Sequence, residues 1–264
     1  SAALEVAVAR ALCRVSGVAW DPTLMARLCQ TGENRYVGVS CGIMDQYAAA
    51  NACAGTALLL DCRSLSHVEV TIPADVSFVV LDTGVRRKLA SSEYNRRRAS
   101  CEEAVALIAA RDPGVRALRD VAASDLLSME QSMEYETYKR AQHVVEEIAR
   151  PQQMAEALDG GDLAAAGRVM NESHFSLRDL YEVSSSALDE ITELARNTEG
   201  CCGARMTGAG FGGCAIALVE TSMVDSFVDH MRLSYRAPEG ATGYFHASVP
   251  SDGARLVGDS ARSW

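Results

Sequence analysis

Met206-Thr-Gly208-Ala-Gly210-Phe-Gly212-Gly213-Cys-Ala-Ile-Ala-Leu218 is the stretch that sets the class of fold. Gly208, Gly210 and Gly213 satisfy the spacing G-x-G-x-x-G of a dinucleotide-binding turn. That fingerprint requires a strand before the glycines and a helix after them. Here the residues after Gly213, Cys214 to Val219, form an apolar run of strand length. A dinucleotide-binding α/β fold therefore does not follow. Four glycines between positions 208 and 213 still mark a backbone that turns tightly or comes very close to something.

Outward from this turn the pattern alternates between helix and strand. Upstream, Ser92 to Arg111, Met133 to Arg150, Gln152 to Leu158, Leu163 to Asn171 and Asp189 to Arg196 carry helical spacing, with Gly and Pro between them. Downstream, Met223 to Leu233 predicts a helix and Tyr244 to Val249 a strand. Near the start, Leu4, Ala7, Val8, Ala11 and Leu12 give Ala2 to Arg14 a helical period. Asp21-Pro22 caps and opens a second helix running to Cys29. Gly42 to Ala50 reads as a short buried helix, and three strand-length runs follow at Ala57 to Asp61, Val68 to Ile72 and Val76 to Leu81. A helical middle closed by strand, helix and strand implies an α+β protein with helices layered on an antiparallel sheet.

Composition narrows the function classes. The 264 residues suffice for one large domain or two ordinary ones, and 48% hydrophobic with 23% charged residues is globular composition. A net charge of −10 argues against a nucleic-acid partner, which needs a clustered basic face. It leaves an anionic ligand such as ATP open, because backbone amides and a metal usually hold phosphates. No apolar run approaches the ~18–20 residues of a membrane span. Ser1-Ala-Ala-Leu-Glu carries no basic signal region and starts inside a helical pattern without Met, so the chain reads as part of a longer protein. Nine cysteines without a C-x-x-C pair fit neither a disulfide framework nor a zinc site; reduced thiols in a cytoplasmic protein are expected.

Two further segments hold candidate chemistry. In Val39-Ser-Cys-Gly42-Ile-Met-Asp45-Gln46, Gly42 permits close backbone approach and Asp45 falls in the first turn of a helix, where the dipole favours a carboxylate. Spacing alone fits a plain first-turn acid better than a functional one. In Ser91-Ser-Glu93-Tyr94-Asn-Arg96-Arg97-Arg98, three arginines suggest a phosphate patch. Glu102 and Glu103 lie about one turn on, and pairing with them makes a solvated helical face the better account.

The segments VGVSCGIMDQ, TALLLDCRSL, KLASSEYNRRRASCEEA, ESHFSLRDLYEVS and GARMTGAGFGGCAIALV occur in the order and at the spacing of galactokinases. The chain thus resembles the C-terminal two-thirds of that family, within the GHMP superfamily. The resemblance implies two domains, an incomplete N-terminal part (1–75) like the second domain of ribosomal protein S5 and a ferredoxin-like C-terminal part (76–264). It implies phosphorylation of D-galactose at its C1 hydroxyl by ATP with Mg²⁺, by a cytoplasmic monomer without membrane contact. Ser1-Ala-Ala-Leu-Glu resembles the tail of the loop that wraps the ATP phosphates, while the segment carrying most sugar contacts is absent. On these grounds the 264-residue chain alone is expected to bind weakly, to show negligible kinase activity and to expose apolar surface.

Residue by residue, the resemblance implies that Asp45 faces the reacting hydroxyl, that Gly42 and Tyr94 contact the sugar, and that Ser1 and Glu33 hold Mg²⁺. Ser1, Gly208 and Gly210 would meet the nucleotide. Departures from the family occur at Leu180-Tyr-Glu-Val-Ser-Ser-Ser, where Asp and Cys-Pro are usual, and at Gln142, where Arg is usual. His143 and His174 are expected to be structural. Two alternatives stand beside the galactokinase: a related kinase for N-acetylgalactosamine or arabinose, and a regulatory paralogue that senses galactose and ATP without turnover.

Overall fold

Asp21 is extended and its side chain accepts the Leu24 N–H (2.9 Å), so the helix opened by Pro22 starts where the Asp-Pro pair predicts. This element, α2 (Pro22–Gly32), follows α1 (Ala2–Ser16), which Gly17 closes in the left-handed conformation (φ 71°). The structure is a computed structural model and describes residues 1–38, 41–86 and 90–257. Val39 and Ser40 of the first motif, and 87–89 ahead of the serine–tyrosine motif, lie outside the described residues.

The chain forms two units: residues 1–72 with the chain from Val249 onward, and Pro73–Ser248. In the first, α3 (Met44–Asn51) packs against α1 and α2, beside a hairpin of β1 (Thr56–Leu60) and β2 (His67–Thr71). Val6, Ala26, Ile43, Tyr47 and Ala50 make its core. Tyr47, 1% exposed, keeps its hydroxyl satisfied by Leu65 O (2.9 Å) and His67 Nδ1 (2.8 Å). The periodic stripe of α1 lies elsewhere: Leu4 is 65% and Leu12 59% exposed, and Val6 and Cys13 are the buried positions. Leu4, Val8 and Leu12 line, with Met25 and Leu28 of α2, a groove of about 680 Å³.

In the second unit, β3 (Val76–Asp82) is followed by a helical run: α4 (Ala90–Ala109), α5 (Ala123–Ser128), α6 (Tyr135–Glu147), α7 (Arg150–Asp159), α8 (Leu163–Asp179) and α9 (Ser186–Arg196). Then come β4 (Cys201–Met206), β5 (Cys214–Glu220), α10 (Val224–Ser234) and β6 (Tyr244–Ser248). The sheet order is β4-β5-β3-β6, antiparallel throughout. The sequence β-α-β-β-α-β in that order is ferredoxin-like, with the helical run as an enlarged first connection. Val79, Leu81, Leu188, Ile191, Met206, Phe227 and Met231 form the core under the sheet. A separate cluster, including Ala104, Ile108, Leu118, Leu126 and Tyr138, joins α4, α5 and α6.

β4 was not legible as a strand. Cys-Cys-Gly-Ala-Arg-Met has little β-branched or aromatic content, yet it pairs with β5 along its length apart from a bulge at Cys201/Gly203. Its partner on the other side explains the small residues. A Cβ on Gly203 would stand 2.6 Å from Gly167 Cα, and one on Gly167 would stand 1.9 Å from Cys202 O. The backbone of α8 therefore lies directly on β4.

Candidate functional site

Within the first unit, α3 presents Asp45 in its first turn, as the sequence predicts. The carboxylate is exposed, and no described residue hydrogen-bonds it or pairs with it. Gly42, three residues earlier, is exposed as well, and a Cβ there would meet no described atom within 4 Å. The fold itself does not require a glycine at this point; open space in front of the backbone is what the position offers. Gln46, next to Asp45, turns inward (3% exposed), and its Nε2 donates to Glu5 Oε2 (3.3 Å). Gln46 Oε1 is buried without a partner.

Glu5 leads to the second candidate group. Glu33 opens a single π-helical turn, Glu33–Val37, directly after α2. Such turns concentrate at functional sites because they re-aim a side chain without ending the helix. Glu33 Oε1 lies 3.9 Å from the backbone nitrogen of Ser1. A hydrogen bond from Glu5, partial burial and the negative charge of Glu5 raise the Glu33 carboxyl above the usual range. Ser1 sits at the N-cap of α1, yet its hydroxyl makes no capping bond. The structure thus brings Ser1 and Glu33 together, and adds Glu5 and Gln46, which the sequence reading did not single out. Glu5 falls in the first turn of a helix, one turn after Ser1, and that spacing was the available signal.

In the second unit, all four glycines of the turn between β4 and β5 have positive φ: Gly208 74°, Gly210 82°, Gly212 123° and Gly213 82°. Their reasons differ. Gly208 is exposed at the tip of the turn. Gly210 is buried, and a Cβ there would stand 2.1 Å from Val183 O, so packing alone accounts for its identity. The turn joins two antiparallel strands, which leaves no helix N-terminus for a pyrophosphate and bears out the rejection of the dinucleotide fingerprint.

Tyr94 is half-exposed near the start of α4. The arginines beside it are not one solvated face. Arg98 pairs with Glu102 (2.8 Å) and Arg96 with Glu93 (2.8 Å), both toward solvent. Arg97 is 6% exposed and is held by Glu93 and by two backbone carbonyls of the segment after α8. Glu103, the other expected partner, instead accepts from Thr137 Oγ1 (2.9 Å).

Both candidate histidines belong to the core. His143 Nδ1 bonds Ser176 Oγ (2.8 Å) and its ring stacks on Tyr181 at 4.6 Å. His174 Nδ1 accepts the Met206 N–H (3.3 Å), which puts its proton on Nε2, toward Thr192 Oγ1 (3.0 Å). Burial pushes each imidazole down to about 4, so both are neutral at pH 7. Among the described residues, no helix is long and apolar enough to cross a membrane.

Comparison with known proteins agrees with this architecture. The GHMP kinases N terminal domain matches residues 1–56, and the GHMP kinases C terminal domain matches 154–236. A galactokinase of Roseiflexus sp. is 44% identical over 262 residues, which is 99% of this chain and 67% of that protein. One from Chloroflexus aurantiacus is 47% identical over 240 residues, 91% of this chain and 62% of that protein. The crystal structure of Lactococcus lactis galactokinase complexed with galactose aligns with a TM-score of 0.89 at 34% identity, over 96% of this chain and 66% of that one. The chain therefore spans about two thirds, or slightly less, of the relatives it matches. With both family domains matched in chain order, and 44% identity sustained over nearly its whole length, the chain belongs to the galactokinases of the GHMP kinase family.

Proposed function

We propose that the protein of which this chain is part phosphorylates D-galactose at the C1 hydroxyl with ATP and Mg²⁺, as a cytoplasmic monomer. The observation that carries the proposal is the carboxylate of Asp45: exposed, unpaired among the described residues, fixed by the first turn of α3 and set beside the open backbone at Gly42. Phosphoryl transfer needs little covalent help from a protein, so a carboxylate that orients the attacking hydroxyl and takes its proton supplies much of what a side chain can give. Tyr94 and Gly42 would contact the sugar, and the exposed Gly208 would lie toward the nucleotide.

The residues present fit a magnesium ion. The Ser1 hydroxyl makes no capping bond and the Glu33 carboxylate lies 3.9 Å from the Ser1 nitrogen, so two oxygen donors of the kind a hard cation takes stand together. Ser1 and Glu33 would hold the ion, which when bound neutralises charge on the phosphates. Glu5 and, through it, Gln46 tie this pair to the helix of Asp45.

The test is Asp45→Asn in the full-length protein, with phosphate transfer and galactose binding measured separately. Loss of turnover by about 10²- to 10⁴-fold with binding retained is expected. Unchanged turnover removes Asp45 from the chemistry. A wild-type protein that binds galactose without turnover makes it a sensor, and preference for N-acetylgalactosamine or arabinose in the same assay reassigns the sugar.

A further inference from the structure

The spacing of the arginine triplet predicts a solvated face, and Arg97, 6% exposed, departs from it. Its guanidinium enters the protein and grips the backbone of Tyr181-Glu182-Val183, the segment that links α8 to α9. Arg97 Nε donates to Tyr181 O (3.2 Å), Nη2 donates to Glu182 O (2.7 Å), and Nη1 reaches Glu93.

The gripped segment is itself unusual. Glu182 has φ +57°, in the left-handed region that a residue with a Cβ occupies only where its surroundings hold it. They do so from two further sides. The Glu182 carboxylate meets Lys139 Nζ (2.7 Å) and Arg140 Nη2 (3.3 Å), both from α6. Val183 N–H donates to Leu177 O (3.0 Å).

From this segment the contacts pass straight to the glycine turn. Val183 O accepts the Phe211 N–H (2.7 Å), and the same carbonyl lies where a Cβ on Gly210 would be. Phe211 is also left-handed (φ 61°), and its ring lies under the Arg97 guanidinium, 5.3 Å away. Arg97 therefore touches both sides of one joint: the two carbonyls just ahead of Val183, whose own carbonyl seats the turn, and the ring that leaves the turn. It does so from α4, one turn beyond Tyr94.

We infer that Arg97 is a positioning residue that couples the helix of Tyr94 to the glycine turn at 208–213, by holding Tyr181-Glu182-Val183 in the conformation on which Gly210 and Phe211 rest. The meaning of this coupling for catalysis rests on the proposed function, which places Tyr94 on the sugar and the turn near the nucleotide. The physical claim does not. Arg is needed rather than Lys because two carbonyls and a ring face are engaged at once, which a planar fork can do and a point charge cannot.

Hydrogen–deuterium exchange of the 264-residue chain tests it, with Arg97→Gln and Arg97→Lys compared to wild type. In Arg97→Gln, amides of 181–183 and 207–213 are expected to exchange about tenfold faster or more, while those of β3 and β5 stay within about twofold. Arg97→Lys should recover part of the protection. Equal exchange at 207–213 in wild type and variant overturns the inference, and so does acceleration spread evenly over the sheet, which would make Arg97 a general stability residue. Should Arg97→Gln fail to fold, Arg97→Lys decides alone: severalfold faster exchange confined to the same segments supports the joint, and no difference refutes it. Isothermal titration of the full-length wild-type protein with galactose and a non-hydrolysable ATP analogue, run alongside, separates the two levels. Absence of binding counts against the kinase and leaves the exchange result standing.

Discussion

His143 and His174 show how single residues set the response of this fold to acid. Each is buried and neutral. His143 lies near Glu147, Arg150 and Arg205, and His174 near Arg178, Arg196, Arg205, Asp179 and, 3.5 Å from its Nε2, Asp189; burial outweighs the carboxylates at both. Unfolded imidazoles take a proton near pH 6.5, whereas these take one only near pH 4. Above the upper value neither state is protonated and the histidines leave stability unchanged. Between the two values the unfolded chain binds protons that the folded one refuses, so stability falls as pH falls. The loss is about 1.4 kcal/mol per pH unit per histidine, or about 3 kcal/mol each over the window. Urea midpoints at pH 7, 6 and 5 should therefore decline, and His143→Gln should flatten the slope. A flat midpoint over that range would contradict the assignment. These roles were partly legible, because the resemblance placed both histidines outside the chemistry. Arg97 was not. Three consecutive arginines on a helix point in three directions, and sequence spacing to Glu102 and Glu103 says nothing of carbonyls more than eighty positions away. Gly210, expected at the nucleotide, also has a reason internal to the fold, its contact with Val183 O.

At the scale of elements, most of the helices and the strands β1, β2, β3, β5 and β6 follow from period and punctuation, with ends shifted by a few residues. Two departures have physical causes. The helix starting at Leu163 continues to Asp179, well past the expected end at Asn171, because Ser173, His174, Ser176 and Leu177 are buried there. Polar residues on the inner face hid the period: Ser173 bonds Glu147 and Ser176 bonds His143. β4 escaped notice because contact with α8 demands small side chains, which weakens any strand signal. That contact is testable. A methyl group at Gly203 would stand 2.4 Å from Gly167 O, with backbone on both sides and no flexible side chain to yield. Gly203→Ala is expected to destabilise by about 1–3 kcal/mol, read as a lower urea midpoint with unchanged slope. Stability equal to wild type would mean that α8 can move off β4 freely.

For the molecule as a whole, composition forecast a globular protein, the order of helical and strand-like segments an α+β fold, and the motif order its family. What it could not forecast is which apolar positions find partners. The stripe on α1 has the period of a buried face, but Val15 is 81% and Leu12 59% exposed in the first unit. Exposed apolar residues grouped along a groove promote association. Leu12→Lys together with Val15→Glu should leave the thermal midpoint nearly unchanged, since surface changes are usually within about 0.5 kcal/mol, while reducing light scattering at high concentration. A marked drop in the midpoint would show that these side chains are covered in solution.

The first unit also takes in a strip of chain that follows the whole of the second. Pro250 O accepts from Gly55 N–H (3.3 Å), Asp252 accepts from Ala54 N–H (2.9 Å), and Gly253 and Ala254 donate to Ala52 O (2.7 Å) and Ala49 O (2.8 Å). A ribosome that has delivered everything through Ile72 has made one compact body in part only, and must synthesise the whole of the other before the closing strip emerges. The amino-terminal body then waits, for many seconds of translation, with the Ala49–Gly55 rim unsealed, so its birth is tied to the completion of its neighbour.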